Sequence, residues 1–260
     1  MLYGTIYGDI AGSMYEFKSV KDYNFTSVPK GSHFTDDTVM TLAVAKWLMN
    51  DGWGDEGLVE AMQEMGKAYP KAGYGGMFRK WLASENPKPY NSFGNGSAMR
   101  VAPCAWLADT LATAEALARV SAEVTHNHPE GIKGAQAVAA AIWMAKEGYD
   151  KCEIKDYITK TYGYNLNRTI QEIKDSGYKF DSTCQGSVPE AIIAFLEGTD
   201  FDGVIRLASY LGGDADTQAA IAGSIAEAFY GIPDKNVEIA KKYLDKNLID
   251  IIYQFNKFCF

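Results

Sequence analysis

Apolar residues recur at spacings of three and four along most of this chain, and this period restricts the possible fold more than any other feature. The stretch 36–49 shows the pattern clearly, and an alanine-rich run over 134–145 adds strong intrinsic helix preference. The period-two alternation of a half-buried strand is missing, apart from a hint over 23–28. The sequence therefore predicts an all-α protein, a single domain over 1–260 with ten or more helices. The helical period covers about 36–49, 97–108, 111–123, 131–147, 187–197, 203–211, 216–230 and 236–257.

The charge balance and the cysteines restrict the partners and the compartment. The 260 residues carry 25 Lys and Arg against 33 Asp and Glu, a net charge of −8, which argues against binding to duplex nucleic acid. No apolar stretch reaches the length of about 18 residues that a membrane span requires, and the N-terminus lacks the basic start of a signal peptide. We therefore expect no membrane partner. The four cysteines form no CxxC pair, which indicates reduced thiols and a cytoplasmic protein.

Two clusters of acids stand where helical runs begin. Thr35, Asp36 and Asp37 mark the start of the first run, and Asp214, Asp216 and Thr217 mark the start of a later one that continues with small residues. An N-cap threonine and acids in a first helical turn are also favoured without any ligand, because they satisfy backbone donors and the helix dipole.

Considered together, the two clusters favour a metal site. They would supply four carboxylates and two hydroxyls, and oxygen ligands select hard cations such as Mg²⁺, Mn²⁺ or Ca²⁺ over zinc. A deeply placed helix start with two acids is costly unless a positive group meets them. Six oxygens could hold a pair of ions.

The first predicted helix carries glycines at every fourth position, Gly4, Gly8 and Gly12. Such a stripe permits close packing against another helix, or alternatively leaves space for a ligand beside Asp9 and Glu16. Those two acids are seven residues apart and would share a helical face. Glu16 is therefore a candidate general base, although it could simply end the helix or pair with Lys18.

A glycine-rich turn precedes another helical run. The segment Asn91 to Arg100 would offer the free amides of residues 94–98 to a phosphate, and Phe93 could stack on a base. Such turns are also common without a ligand. Two of the three histidines, His126 and His128, follow further along the chain, where helix capping is an equally good explanation.

The five segments together resemble the ADP-ribosylglycohydrolase family. Their motifs are GDIAGSMYE, FTDDT, FGNGSAMR, THNHP and GGDADTQAAIAGSIAEAFYG, in the family's order from Gly4 to about Gly231. The resemblance implies an orthogonal helical bundle with a central dinuclear site for two Mg²⁺ or Mn²⁺ ions. It also implies hydrolysis at ribose C1″, which releases ADP-ribose from a modified protein side chain, by N- or O-glycosyl cleavage, or from a small ADP-ribose conjugate.

The resemblance also implies particular roles for residues. Glu16 corresponds to the acid that some family members need for hydrolysis. The metal ligands implied are Thr35, Asp36, Asp37, Asp214, Asp216 and Thr217. The residues implied around the diphosphate, the adenosine and the nearby ribose are Ser92, Phe93, Gly94, Asn95, Gly96, Ser97 and His126.

Two other functions remain open at the level of sequence. The chain could be a module that binds ADP-ribose without turnover, or a hydrolase of phosphoanhydrides with a two-metal helical site. The linkage cleaved, the target protein, the choice between Mg²⁺ and Mn²⁺ and the oligomeric state do not follow from the residues.

Overall fold

Helices build the part of the chain that the computed structural model describes, which comprises residues 1–16, 20, 22–50 and 54–259. This confirms the all-α prediction, and no strand occurs within those ranges. The helices are α1 (Tyr3–Gly12), α2 (Asp36–Met49), α3 (Asp55–Ala68), α4 (Gly76–Leu82), α5 (Ala102–Leu107), α6 (Leu111–Glu123), α7 (Pro129–Lys146), α8 (Lys151–Tyr162), α9 (Ile170–Asp175), α10 (Cys184–Glu197), α11 (Phe201–Leu211), α12 (Ala215–Tyr230), α13 (Asp234–Lys241) and α14 (Lys246–Cys259).

The structure differs from the sequence-based prediction in four helices that the apolar period did not indicate: α3, α4, α8 and α9. These helices lie at the surface and bury few side chains. In α8, only Ile154 and Ile158 are buried, so its apolar stripe is too sparse to register as a period. The predicted run 236–257 divides into α13 and α14, and the hinted extended piece over 23–28 forms no strand.

The glycine stripe of α1 serves close packing. Helix α12 crosses α1 so tightly that a β-carbon on Gly4, Gly8 or Gly12 would overlap backbone atoms of α12. The alternative, that these glycines leave room for a ligand, is wrong because the space is filled by the α12 backbone. The contact fixes the helix that carries Asp9 against the helix that begins at Ala215.

Helix α12 lies in the centre of the bundle. It packs against α1, α7, α10 and α11, and nearly its whole length is buried. Its small residues allow this, because alanine and glycine let neighbouring backbones approach closely. The buried apolar side chains form one continuous cluster around it. No described helix is both long and apolar enough to cross a membrane.

Candidate metal centre and active site

The N-terminus of α2 is fixed by a buried acid on α1. Asp9 is fully buried, and its carboxylate accepts hydrogen bonds from the amide (2.9 Å) and hydroxyl (2.8 Å) of Thr35. It also accepts from the amide (3.1 Å) and hydroxyl (2.5 Å) of Thr38. Thr35 is the N-cap of α2, as predicted, and accepts from the Asp37 amide at 3.3 Å. These bonds hold Asp36 and Asp37 in place at the start of the helix.

The second acidic cluster follows a glycine turn. Gly212 and Gly213 both have positive φ angles (80° and 76°), which glycine adopts without steric cost. Asp214 occupies the N-cap position of α12, but its side chain makes no capping bond. It accepts instead from the Asn95 amide group at 2.8 Å. The Asp214 side chain therefore faces the neighbouring loop and does not cap the helix.

The carboxylates converge into two groups that share one member. Oxygen atoms of Asp9, Asp37 and Asp216 lie within 4.8 Å of one another, and so do those of Glu16, Asp214 and Asp216. One oxygen of Asp37, Oδ1, is buried without a hydrogen-bond partner. Thr217 donates to the other Asp37 oxygen at 3.2 Å. Acids from three separate segments thus meet at one point, and an oxygen-only set with an unpartnered buried carboxylate oxygen suits a hard cation.

The electrostatics lead to the same conclusion. Burial, and then repulsion by Asp216, raise the pKa of Asp9 to about 7 and that of Asp36 to about 8. The same two causes raise the pKa of Asp37 and Asp214. Carboxylates in this position are costly to ionise together, and a bound divalent cation would relieve the repulsion.

Glu16 lies beside the carboxylates but not on the face of α1 that the sequence predicted. Helix α1 ends at Gly12, and a turn closed by the Tyr15 amide on the Gly12 carbonyl (2.7 Å) carries the chain to Glu16. Burial, and then the charges of Asp216 and Asp9, raise the pKa of the half-buried Glu16 to about 7. Its suggested alternative partner, Lys18, lies outside the described residues.

A cleft of about 300 Å³ opens above the acids. Most of the site residues that the sequence predicted line this cleft, but three predicted residues do not. Thr35 is below the cleft against Asp9. Ser97 is fully buried and donates to the Gly131 carbonyl at 2.8 Å. Phe93 is 44% exposed and packs edge-on against His128. The predicted residues that line the cleft are Glu16, Asp36, Asp37, Ser92, Gly94, Asn95, Gly96, His126, Asp214, Asp216 and Thr217.

The glycine-rich loop offers a ligand fewer amides than predicted. The Gly94 amide donates to the Ser92 hydroxyl (3.1 Å), the Asn95 amide to the Ser182 carbonyl (2.8 Å) and the Ala98 amide to the Asn95 carbonyl (2.8 Å). Of residues 94–98, at most Gly96 and Ser97 retain an amide for a phosphate. The loop is instead a rigid turn that is tied to the segment preceding α10.

Sequence reasoning assigned no role in the site to two buried residues. Asp9 belongs to the first carboxylate group, and Arg100 lines the cleft from a fully buried position. The Thr35 and Thr38 pair, three residues apart, was a signal for a buried acceptor. Tyr90 and the stretch 75–78 also line the cleft, and only the fold brings them there.

A helical bundle that collects carboxylates under a cleft defines a class of proteins able to hold a hard cation beside a polar ligand. Within this class, the model of the ADP-ribosylglycohydrolase family matches residues 1–253, and the chain belongs to that family. The resemblance drawn from the five motifs is confirmed.

Individual relatives agree with this assignment. ADP-ribosylhydrolase ARH3 of Homo sapiens is 28% identical, over 89% of this chain and 84% of its own length. ADP-ribosylarginine hydrolase Tri1 of Pseudomonas putida is 26% identical, over 93% of this chain and 72% of its own length. A solved structure described as an ADP-ribosylglycohydrolase-related protein complex superimposes with a TM-score of 0.72, at 24% identity, over 98% of this chain and 95% of that one. That likeness shows the fold.

Proposed function

We propose that this protein is a divalent-cation-dependent ADP-ribosylglycohydrolase that releases ADP-ribose from a modified protein side chain or from a small ADP-ribose conjugate. The observation that carries the proposal is the convergence of two carboxylate groups on Asp216, with Glu16 in the second group and an open cleft above. Family membership and the activities for which the two relatives are named support it. The absence of a CxxC pair favours a cytoplasmic location.

In the proposed reaction, an oxygen atom of water forms a bond to ribose C1″ as the bond from C1″ to the leaving nitrogen or oxygen breaks. The leaving atom gains a proton, and water loses one. Positive charge develops on the sugar as the bond breaks. Glu16 is the group we assign to accept the proton of water, because its carboxylate lies within 4.8 Å of Asp214 and Asp216 and has a pKa raised to about 7.

We assign two Mg²⁺ or Mn²⁺ ions to the acidic floor of the cleft, which is formed by Asp9, Asp36, Asp37, Asp214 and Asp216. The proposed ligands are Asp36, Asp37, Asp214, Asp216 and Thr217, together with Thr35, whose hydroxyl already donates to Asp9 at 2.8 Å. Asp9 adds a carboxylate to the set. When bound, the cations would supply positive charge that polarises sugar oxygens and activates water. The unpartnered Oδ1 of Asp37 is the atom that most needs such a partner.

The remaining wall of the cleft would bind the rest of ADP-ribose. We assign this role to Ser92, Gly94, Asn95, Gly96 and His126, which line the cleft. Phe93 and Ser97 can contribute by shaping the loop, since their side chains point elsewhere. The acidic net charge does not oppose an anionic ligand here, because the floor would carry bound cations and a buried arginine backs the wall.

An activity panel tests the proposal. Arginine-linked, serine-linked and nucleotide-linked ADP-ribose are each incubated with the protein and either Mg²⁺ or Mn²⁺, and the products are separated by chromatography. We expect free ADP-ribose from at least one substrate. Binding of ADP-ribose by calorimetry without any product would instead identify a binding module, and AMP with ribose phosphate would identify a phosphoanhydride hydrolase.

A further inference from the structure

Arg100 is a fully buried cation beside the cleft. Its guanidinium donates to the carbonyl of Gly96 (3.0 Å), the carbonyl of Ser121 (2.5 Å) and the hydroxyl of Thr125 (2.9 Å). Among the described residues no carboxylate acts on the charge of Arg100, although its side chain lines the cleft. Burial lowers the pKa of Arg100 to about 10, so it remains charged at neutral pH. Within the described part of the chain, the acceptors that hold this charge next to the cleft are thus all neutral.

The acceptors around the Thr125 hydroxyl indicate where its proton points. The hydroxyl oxygen accepts from Arg100, and it has two neighbours that could receive its proton: His126 Nδ1 at 2.6 Å and the Ala122 carbonyl at 3.5 Å. The Ala122 carbonyl already accepts from the amides of Thr125 (3.1 Å) and His126 (2.7 Å). Its two lone pairs are therefore occupied. The proton of Thr125 goes to His126 Nδ1.

An accepting Nδ1 places the imidazole proton of neutral His126 on Nε2. Nε2 faces the glycine-rich loop, since β-carbons on Gly96 and Gly94 would lie 3.2 Å and 3.5 Å from it. His126 lines the cleft and is 6% exposed. Burial, and then the charge of Arg100, hold the pKa of His126 well below its usual value. The ring is therefore neutral and presents an N–H donor toward the cleft.

We propose that Arg100 and Thr125 are positioning residues that lock His126 as the Nε2–H tautomer, which donates to an acceptor oxygen on the diphosphate or ribose of the bound ligand. The proposal rests on the proposed function for the identity of that ligand. It assigns Arg100 a second effect, because its unpaired charge favours an anion next to the same wall. In the alternative, Arg100 has only a structural role and connects residue 96 to α6. A change in the tautomer of His126 would then not affect ligand binding.

A matched pair of substitutions separates these roles. Thr125→Val keeps the shape of the side chain and removes the hydroxyl, whereas Thr125→Ser keeps the hydroxyl. Long-range ¹H–¹⁵N spectra of the ligand-free protein at neutral pH show which ring nitrogen carries the proton. The signal is assigned by comparison with His126→Asn, since the chain has three histidines. Calorimetric titration with ADP-ribose in the presence of Mg²⁺, and a thermal melt, are run on each preparation.

We expect wild type and Thr125→Ser to show the Nε2–H tautomer, and Thr125→Val to show a substantial Nδ1–H population. ADP-ribose should bind about tenfold more weakly to Thr125→Val, because a hydrogen bond to a charged group is lost or weakened, and Thr125→Ser should restore the affinity. Arg100→Met should weaken binding as well. The double variant Arg100→Met/Thr125→Val should lose less than the sum of the two single losses, since both act through one chain of bonds.

Several results would overturn the assignment. These are a wild-type His126 that is protonated on Nδ1 or doubly protonated, a Thr125→Val spectrum identical to wild type, or an unchanged affinity in a folded Thr125→Val protein. A wild-type protein with the Nε2–H tautomer that binds no ADP-ribose would contradict the proposed function and would support the tautomer assignment. The two failures are therefore distinguishable.

Discussion

The two sides of the cleft satisfy their polar groups in opposite ways. The acidic floor (Asp9, Asp36, Asp37, Asp214 and Asp216) crowds carboxylates whose pKa values are raised by burial and mutual repulsion, and it leaves one oxygen of Asp37 without a partner. The loop wall (92–97 with His126) is closed by internal hydrogen bonds to the backbone, to Ser187 and to the buried Arg100.

This difference shows which parts of the site depend on an added ion. The carboxylates of the floor repel one another, and one of their oxygens has no hydrogen-bond partner. A bound divalent cation would offset the repulsion and would supply that oxygen with a partner. The wall needs no ion, because it contains no carboxylate and the amides of Gly94 and Asn95 and the hydroxyl of Ser97 have partners within the protein. Asn95 joins the two sides, since its amide group donates both to Ser187 (3.0 Å) and to Asp214 (2.8 Å). Substitutions in the floor should therefore have large effects that depend on the concentration of divalent cation. Substitutions in the wall should have smaller effects that do not depend on it.

The largest effect is expected for Asp216→Asn. Asp216 belongs to both carboxylate groups, so its neutral isostere removes a charge from each proposed ion. Turnover should fall by more than the roughly 100-fold that the loss of an outer-shell partner costs. Steady-state rates at increasing Mg²⁺ or Mn²⁺ measure this. Asp109→Asn, at an exposed turn before α6, is the matched control, and a near-wild-type rate in folded Asp216→Asn would refute the metal site.

Glu16→Gln should have the next largest effect. The amide keeps the size of the side chain but cannot accept a proton from water, so kcat should fall by roughly 10²-fold or more. Affinity for free ADP-ribose should change little, because the other acids of the floor remain. Parallel measurements of kcat, binding and melting temperature separate the possibilities. An unchanged kcat would show that Glu16 only completes the turn after α1.

The stability of the floor should depend on pH in the metal-free protein. Folding raises the pKa of Asp9 to about 7 and that of Asp36 to about 8, so these groups stabilise the fold below about pH 4 and lose that contribution as the pH rises toward 8. Melting temperatures in a chelator should therefore be lower at pH 8 than at pH 5.5. Mg²⁺ at about 100 times its Kd should stabilise the protein at pH 8 by about 2.7 kcal/mol.

A stabilisation of about 2.7 kcal/mol by Mg²⁺ corresponds to a rise of roughly 5–10 °C in melting temperature. The Asp37→Asn variant supplies the control, since it removes one of the repelling charges. Its melting temperature in chelator should depend less on pH, and Mg²⁺ should raise it less. If the melting temperature of the wild-type protein changed with neither pH nor Mg²⁺, the acids of the floor would not need a bound ion.

The smallest effect is expected in the wall, for Ser97→Ala. Its hydroxyl donates to the Gly131 carbonyl inside the protein, so the substitution should lower the free energy of unfolding by about 1 kcal/mol. KM should stay within about twofold of wild type, since the side chain faces away from the cleft. Denaturant titration and initial rates test this. A large rise in KM with unchanged stability would return Ser97 to the ligand-binding residues.

The sequence predicted the helices with a continuous apolar period and the two acidic clusters, because these features depend on neighbouring residues. It did not predict the surface helices such as α8, whose buried side chains are too few, nor the end of α1 at Gly12. Sequence reasoning assigned no role to Arg100, Ser121 and Thr125, although the first and last stand in quoted motifs, because the three meet only when α6 packs beside the loop. The amide donors of residues 94–98 were overestimated for a related reason, since the partner at Ser182 is distant along the chain.

The contact between the glycine stripe of α1 and helix α12 has a consequence for any effort to diversify this protein. In a library with every substitution at every position, Gly4, Gly8 and Gly12 should accept none, because even a methyl group would meet backbone that has no rotamer to change. Gly54, Gly75 and Gly76, by contrast, have open space around the position of a β-carbon and should accept many side chains. Gly75 and Gly76 line the cleft, so variation of specificity would be recoverable at these two positions. Gly4, Gly8 and Gly12 set the distance between the acids of α1 and α12 and admit no sequence freedom.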